Sequence, residues 1–205
     1  MNKINKIFST LCLYVILCSS IQANLILNNS FEDTGTISPS QPTWRIYDTI
    51  PHWSSTRGIE IWNDGFIVPT YHGNNVLELN AHDRGANTPY SIFQSFNTVI
   101  DQKYKITFMS RKRQSGSERF SVSVGDLYEV VINLKCGEWS EYTYIFTALS
   151  AITTLTFTSL DPFSDHSGNL LDEINVQSIA EPSIFLLILF SLALIICIQY
   201  FMRKN

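Results

Sequence analysis

The chain is poor in charged residues, and it has little cysteine outside its two ends. Lys, Arg, Asp and Glu make up 16% of its 205 residues, and three of its four cysteines, Cys12, Cys18 and Cys197, fall in terminal apolar segments. The central part has only Cys136, which excludes a disulfide framework and a cysteine-based zinc site there. Residues 24–180 carry ten basic and 17 acidic side chains, and this net charge of −7 excludes the basic face of a non-specific nucleic-acid binder.

The common catalytic motifs are also missing. The sequence has no Gly-x-Ser-x-Gly and no Gly-rich phosphate loop, and its four histidines show no zinc-motif spacing. Glu60 and Glu78 are the one pair of acids that we consider for glycoside hydrolysis, which needs a carboxyl group on each side of the scissile bond. Alternation with Ile59 and Ile61 instead places Glu60 facing solvent or lining a groove. We therefore expect a protein that is not an enzyme.

The first 23 residues have the layout of a secretory signal peptide. Lys3 and Lys6 precede an apolar run, and the small residue Ala23 ends it. The run is short and contains Ser and Thr, which disfavours a membrane span. Leu17 stands before Cys18 where lipoprotein processing needs a small residue, so we predict ordinary cleavage near Ala23 and export of the rest of the chain.

The other end carries a long uncharged segment. Residues 183–201 contain no charge, and nineteen helical residues are about 28 Å long, close to the hydrocarbon thickness of a bilayer. Arg203 and Lys204 follow directly, as expected for a cytoplasmic end. The sequence therefore predicts a transmembrane helix over 183–201 and an extracytoplasmic domain.

Residues 179–205 resemble the PEP-CTERM sorting signal of Gram-negative bacteria. The resemblance rests on Glu181, Pro182 and Ser183, the apolar helix after them and the short basic end. It implies processing by an exosortase-type enzyme and sorting to the cell surface. Retention in the bacterial inner membrane by a simple C-terminal anchor is the alternative.

The middle of the chain alternates with the period of β-strands. No window shows a sustained helical stripe, and short alternating runs are separated by turn residues. The runs are Leu25–Leu27, Ile59–Trp62, Val76–Leu79, Ser91–Phe96, Tyr104–Phe108, Phe120–Val124, Tyr128–Leu134, Tyr142–Phe146, Leu155–Phe157 and Leu170–Val176. Nine or ten strands without crossover helices predict an all-β, antiparallel β-sandwich over residues 24–178.

The order of these segments is similar to that of the carbohydrate-binding-module-like jelly rolls of the galactose-binding-domain superfamily. The segments that carry this resemblance are Asn24–Glu32, Ile50–Trp53, Gly58–Trp62, Gly73–Asn80, Gln94–Phe96 and Leu171–Ile174. The resemblance implies a jelly-roll fold and a binding role, without fixing a ligand.

A carboxylate on the closing strand is the sharpest clue to a metal. Asp172 has the parity of Ile174 and Val176, so it points inward if they do, and a buried carboxylate is costly unless it is paired or coordinated. The resemblance implies that Glu32 and Asp172 meet at a structural Ca²⁺, an ion that takes six to eight oxygen ligands. The alternative is that Asp172 caps backbone amides and Glu32 is a solvated loop acid.

Sugar recognition needs an aromatic face and polar groups beside it. Trp53 and Trp62 fall in segments that look like core motifs, so we assign them to packing. The candidate ligand-binding residues lie in loop-like surroundings: Trp44, Tyr47, Tyr71, Arg84 and Tyr90, with Asp83 beside Arg84. A generic polar loop explains Asp83 and Arg84 equally well.

Two further features have ordinary explanations. The cationic run Arg111, Lys112 and Arg113 precedes Gln-Ser-Gly-Ser, which indicates a solvated hairpin tip, with attraction to acidic polysaccharide or lipid headgroups as the alternative. Cys136 beside Gly137 is interpreted as a small, partly buried residue, although an odd extracytoplasmic cysteine also permits cross-linking of two chains.

These features together predict an exported, membrane-anchored or surface-sorted bacterial protein that recognises an extracellular or cell-surface glycan without catalysis. Its expected partners are a glycan or extracellular polysaccharide, the membrane and an exosortase-type enzyme, with no nucleic acid. The alternative function is a structural or adhesive component of the extracellular matrix or biofilm that binds protein or itself. A glycoside-processing enzyme is the third and weakest hypothesis.

Overall fold

A computed structural model describes most of the chain. The described residues are 22–36, 43–79, 89–113, 118–132, 137–161, 168–179 and 184–203. Residues 1–21 of the predicted signal peptide lie outside them, as do Asp83, Arg84, Cys136 and the sorting motif at 181–183.

The domain is built from eleven strands and is followed by one helix. The strands are β1 (Trp44–Tyr47), β2 (Ser54–Ser55), β3 (Ile59–Asn63), β4 (Asn75–Glu78), β5 (Ser91–Asn97), β6 (Lys103–Lys112), β7 (Arg119–Val124), β8 (Leu127–Ile132), β9 (Ser140–Thr147), β10 (Ile152–Asp161) and β11 (Asn169–Ser178). The helix is α1 (Ile184–Met202).

The strands form two antiparallel sheets packed as a sandwich. The six-stranded sheet has the order β1-β3-β4-β11-β6-β9, and the five-stranded sheet has the order β2-β5-β10-β7-β8. Consecutive strands often fall in different sheets, so the chain crosses repeatedly between layers. The predicted all-β, antiparallel sandwich is confirmed.

The core follows the predicted alternation. Ile106 and Phe108 of β6, Val122 of β7 and Leu155 and Phe157 of β10 have no exposed surface. Phe108 stacks on Tyr142 of β9 with 5.4 Å between ring centroids, and it meets Phe157 edge-on at 5.1 Å. The aromatic residues on one face of each strand therefore join the two sheets.

The first predicted strand is wrong. Residues 25–27 form no strand, and the backbone of Leu27 bonds to the side chain of Gln94 instead of to a neighbouring strand. The Leu27 amide donates to Gln94 Oε1 at 2.8 Å, and Gln94 Nε2 donates to the Leu27 carbonyl at 2.9 Å. Conversely, β1 and β2 were not predicted, since both are short and β1 is partly exposed.

The terminal apolar segment forms α1, close to the helix predicted over 183–201. Several of its aliphatic side chains are exposed, including Leu192, Ile196 and Met202. Counting only the residues whose side chains the structure describes, no helix is long and apolar enough to cross a membrane.

Gly125 is the glycine that the fold tolerates least well as alanine. It has φ +58° in the β7–β8 turn, and a Cβ there would collide with the carbonyl oxygen of Thr147. Gly65, at φ +75°, has open space around it and is the matched control. We expect Gly65→Ala to cost about 1 kcal/mol of unfolding free energy from backbone strain. Gly125→Ala should cost about 2 kcal/mol more from overpacking.

Chemical denaturation followed by circular dichroism measures both glycine variants. Equal loss of unfolding free energy in the two would show that the close approach to Thr147 is unimportant.

Candidate functional site

The outer face of the six-stranded sheet carries buried charge. Glu60 on β3 and Glu78 on β4 are directly opposite in register, and they point away from the sandwich core with Trp62 and Val76. They are nevertheless only 3% and 0% exposed. Of the two positions expected for Glu60, facing solvent or lining a groove, the first is wrong, because other parts of the chain cover this face.

An arginine neutralises the carboxylate of Glu78. Arg113 Nη1 lies 2.9 Å from Glu78 Oε1 and 3.2 Å from Oε2, and the amide of Gly168 donates to Oε1 at 2.7 Å. The Arg113 guanidinium also lies 4.5 Å from the Trp62 ring centroid, and Trp62 Nε1 donates to Glu60 Oε1 at 2.8 Å. We call Glu60, Trp62, Glu78 and Arg113 the buried charge cluster.

Burial dominates the electrostatics of this cluster. It raises the pKa of the Glu78 carboxyl well above its ordinary value, and the charge of Glu60 raises that pKa further. The charge and hydrogen bonds of Arg113 and the Gly168 amide oppose the rise. Arg113 thus lets Glu78 carry a charge that burial alone would disfavour.

Tyr90 adjoins the same cluster. Its side chain is only 4% exposed. Burial first, and then the charges of Glu60 and Glu78, raise the pKa of the Tyr90 hydroxyl. Tyr90 does not present a surface platform for a sugar, contrary to its selection from the sequence.

The cationic run is part of the fold. Arg111 and Lys112 end β6 and are each 7% exposed, so the expected solvated hairpin tip is wrong. The Arg111 guanidinium lies 5.7 Å from the ring centroid of Trp139. Alternation along β6 places Arg111 and Arg113 on the outer face, where Arg111 lies opposite Leu170 of β11.

A partly exposed aromatic pair lies next to Arg111. Tyr71 is 50% exposed and meets the half-buried Trp139 edge-on, with 5.9 Å between ring centroids. Trp139 Nε1 donates to the Pro69 carbonyl at 3.3 Å, which ties the two sides of the pair together. Sequence reasoning singled out Tyr71 but assigned Trp139 no role. The one sequence feature that could have pointed to Trp139 is its position directly before the alternating strand β9.

The loop that carries Tyr71 is held from below by Asp172. Asp172 Oδ2 accepts hydrogen bonds from the amides of Tyr71 at 3.0 Å and His72 at 2.9 Å, and Oδ1 accepts one from Glu173 at 2.7 Å. Asp172 has no exposed surface. Burial raises its pKa to about 7 against the effect of the three amides, and the charge of Glu32 adds to the rise.

The inward direction predicted for Asp172 is half right. It is buried, but a β-bulge between Asp172 and Asn175, with Glu173 at φ +48°, reverses the alternation. Ile174 and Val176 face the main core, whereas Asp172 lies on the outer face with Leu170. Parity counted along the sequence cannot detect a bulge.

Glu32 holds the other end of the loop. Its Oε1 accepts hydrogen bonds from the amides of Asn74 and Asn75, both at 2.9 Å, although its side chain is exposed. Gly73, directly before Asn74, has φ +67°, and a Cβ there would collide with the Glu32 carboxylate. Two carboxylates from distant parts of the chain thus fix the backbone of residues 71–75.

The described residues contain no group of three or more His, Cys, Asp or Glu side chains placed to hold a metal ion. Glu32 and Asp172 are nevertheless close enough for the charge of one to raise the pKa of the other. Carboxylates are the donors that Ca²⁺ prefers, and backbone carbonyls or water complete such sites. The donor chemistry therefore fits calcium.

The other ligand-binding candidates from the sequence lie in different environments. Trp44 is 38% exposed and lies on the outer face, opposite Trp62 in register. Tyr47 lies opposite Ile59 and packs against the main core, so its ring is not an open platform. Trp53 and Trp62 are buried, as predicted. Arg84 lies outside the described residues.

Comparison with known proteins identifies a family and a fold. A family model described as "Protein of unknown function (DUF642)" matches residues 24–177. Halomucin of Haloquadratum walsbyi is 25% identical over 172 residues, which are 80% of this chain and 2% of Halomucin. The chain thus spans about 2% of the length of that relative.

Among solved structures, TmCBM61 in complex with β-1,4-galactotriose superposes with a TM-score of 0.52 at 14% identity, over 77% of this chain and 99% of that one. A family 35 carbohydrate binding module from Clostridium thermocellum has a TM-score of 0.45 at 13% identity, over 67% and 99%. The first likeness shows a shared β-sandwich fold.

Removing the cation from the buried charge cluster should destabilise the domain. We expect Arg113→Met to cost about 3 kcal/mol of unfolding free energy, because it leaves the buried carboxylate of Glu78 without the counter-charge of Arg113. Since the pKa of Glu78 is higher folded than unfolded, its ionisation reduces stability as pH rises above about 4.5. The loss of unfolding free energy in Arg113→Met should therefore grow as the pH rises.

Urea denaturation between pH 4 and pH 8 measures this effect. Arg45→Met, at an exposed arginine of β1, is the control, and adding Glu78→Gln to Arg113→Met should restore part of the loss. A pH-independent loss equal to that of Arg45→Met would contradict the assignment.

Proposed function

We propose that this chain, which belongs to the DUF642 family of proteins of unknown function, is a non-catalytic module that recognises an extracellular or cell-surface glycan. The observation that carries the proposal is the pair of exposed Tyr71 and half-buried Trp139, which lies beside the buried Arg111. A pyranose ring presents an apolar side to an aromatic face and hydroxyl groups to polar neighbours.

The backbone under this pair supports a binding role. Asp172 and Glu32 together accept four hydrogen bonds from amides between Tyr71 and Asn75. A loop held in this way loses little conformational entropy when a ligand binds. TmCBM61, which shares the fold, was solved with a galactose oligosaccharide, and this also favours a glycan as the ligand class.

The buried charge cluster supports recognition over hydrolysis. A glycosidase needs two carboxyl groups that reach the two sides of a scissile bond. Glu78 is fully buried and bound to Arg113 and Gly168, and Glu60 accepts the hydrogen bond of Trp62. Both carboxylates are thus engaged inside the protein, and the function that we propose needs no catalytic residue.

Truncation of the aromatic pair tests the glycan proposal. Full-length protein is screened on a glycan array, and the affinity for the best oligosaccharide is measured by calorimetry. We expect Tyr71→Ala and Trp139→Ala each to weaken binding about tenfold, equivalent to about 1.4 kcal/mol, through loss of ring contact. Tyr128→Ala, at a 63% exposed tyrosine of β8, should bind normally.

Absence of any glycan binding by the parent would overturn the proposal. Undiminished binding by both aromatic variants would overturn the location of the site.

We propose further that Glu32 and Asp172 hold a structural Ca²⁺. The ion would supply the positive charge that lets buried Asp172 stay ionised, and it would join the opening segment of the domain to its closing strand. The charge of Glu32 raises the pKa of the Asp172 carboxyl, and this proximity of the two groups supports the assignment.

Calcium should therefore stabilise the parent protein. At pH 7 we expect a melting temperature several degrees higher in excess Ca²⁺ than in chelator, since saturation at about 100 times Kd adds about 2.7 kcal/mol. Asp172→Asn should abolish this difference, whereas Asp126→Asn, at an exposed carboxylate of the β7–β8 turn, should keep it. Identical melting temperatures of the parent in both buffers would contradict the proposed calcium site.

The localisation follows from the two terminal segments. We propose that residues 1–23 direct export, and that residues 183–201 anchor the protein in the bacterial inner membrane. Residues 179–205 would alternatively serve an exosortase-type enzyme and sorting to the surface. The uncharged sequence of α1 followed by Arg203 and Lys204 supports an anchor.

One observation favours the second candidate function, adhesion or self-association. Strand β8 is outermost in the five-stranded sheet of the described chain, and its Tyr128, Val130 and Ile132 are 63%, 41% and 49% exposed. An apolar outer strand is suited to pairing with another chain. Association that depends on protein concentration, together with no glycan binding, would favour this function.

A further inference from the structure

Two neighbouring turns form one end of the sandwich. The β5–β6 turn spans residues 98–102, and the β9–β10 turn spans residues 148–151. The amide of Thr98 donates to the Ala151 carbonyl at 2.9 Å, and the amide of Asp101 donates to the Ala148 carbonyl at 2.9 Å. The two turns therefore form one rigid surface.

This surface displays aliphatic side chains. Val99, Ile100, Leu149 and Ile152 are 62%, 55%, 64% and 63% exposed. The turns cannot easily withdraw them, because the Val99 amide also donates to the Tyr104 hydroxyl at 2.9 Å. We call these four residues the aliphatic end patch. A cluster of exposed apolar groups on a rigid support is typical of a contact surface.

The chain leaves the domain at the same end. The Ile179 amide donates to the carbonyl of Lys103, the first residue after the β5–β6 turn, at 2.8 Å. Five residue steps separate Ile179 from Ile184, the first residue of α1, and five steps span at most about 18 Å. The uncharged helix α1 thus begins close to the aliphatic end patch.

We propose that the aliphatic end patch inserts into the headgroup region of the membrane that holds α1. A lipid surface would cover both apolar elements at once, and this inference rests on the proposed anchoring by residues 183–201. Apolar insertion drives the contact, because the exposed charges at this end are of mixed sign, with Asp101 and Asp126 beside Lys103. Zwitterionic lipid is therefore expected to be sufficient for this contact, without anionic headgroups.

This contact sets the orientation of the candidate site. Strand β6 runs from Lys103 at the patch to Lys112 at the far end, and Ser140, next to Trp139, lies opposite Ser110. Seven residues of strand measure about 23 Å. The pair of Tyr71 and Trp139 is thus held well away from the lipid and presented to ligands outside.

Tryptophan quenching by brominated lipid tests the contact in the full-length protein. Leu149→Trp and Ile132→Trp each add one tryptophan at an exposed aliphatic position, the first in the patch and the second at the far end of β8. Both variants are reconstituted into phosphatidylcholine vesicles with and without brominated chains. Leu149→Trp should lose more emission than the parent in brominated vesicles, and Ile132→Trp should show no added loss.

The outcomes separate this inference from the anchoring proposal. Vesicle flotation without added quenching of Leu149→Trp overturns the patch contact and leaves the anchor standing. Failure of the parent to float with vesicles overturns both. A blue shift of Leu149→Trp emission that depends on protein concentration and needs no lipid would show that a second copy covers the patch, and it also overturns the inference.

Discussion

The candidate site depends on the hydrogen bonds that the buried carboxylate of Asp172 accepts from the loop of Tyr71. This carboxylate lies without solvent exposure on the closing strand and accepts amide hydrogen bonds from Tyr71 and His72, a hundred residues earlier in the chain. A buried carboxylate is tolerated only when its charge is compensated, so the loop cannot move away without a large energetic cost. The position of Tyr71 is therefore coupled to the integrity of the sandwich.

The outer face of the six-stranded sheet repeats this arrangement with a larger number of charged groups. Glu60 and Glu78 would repel each other across β3 and β4, and Arg113 reaches from the end of β6 to neutralise Glu78 while it packs on Trp62. A second hydrophobic cluster that includes Val68 and Val76 adjoins them. This face thus has its own small core, partly polar, above the main one.

Binding and attachment occupy different ends of the domain in our interpretation. The aromatic pair of Tyr71 and Trp139 lies near the far end of β6, and the aliphatic end patch and the exit to α1 lie near its beginning. The rigid sandwich between them separates the two functions by about 23 Å. A module built in this way presents its ligand face outward without a long linker.

The sequence by itself determined the strand alternation, the main core and the all-β class, because a period of two directly reports which side chains share a face. It did not determine what covers the opposite face. Glu60 was therefore expected to face solvent or line a groove, and Tyr90 to offer an open platform, although both side chains are buried. The bulge after Asp172 reversed a parity argument that was otherwise sound. Only the tertiary structure decided these positions, because cover comes from residues distant in sequence and a single left-handed residue changes the direction of every side chain after it.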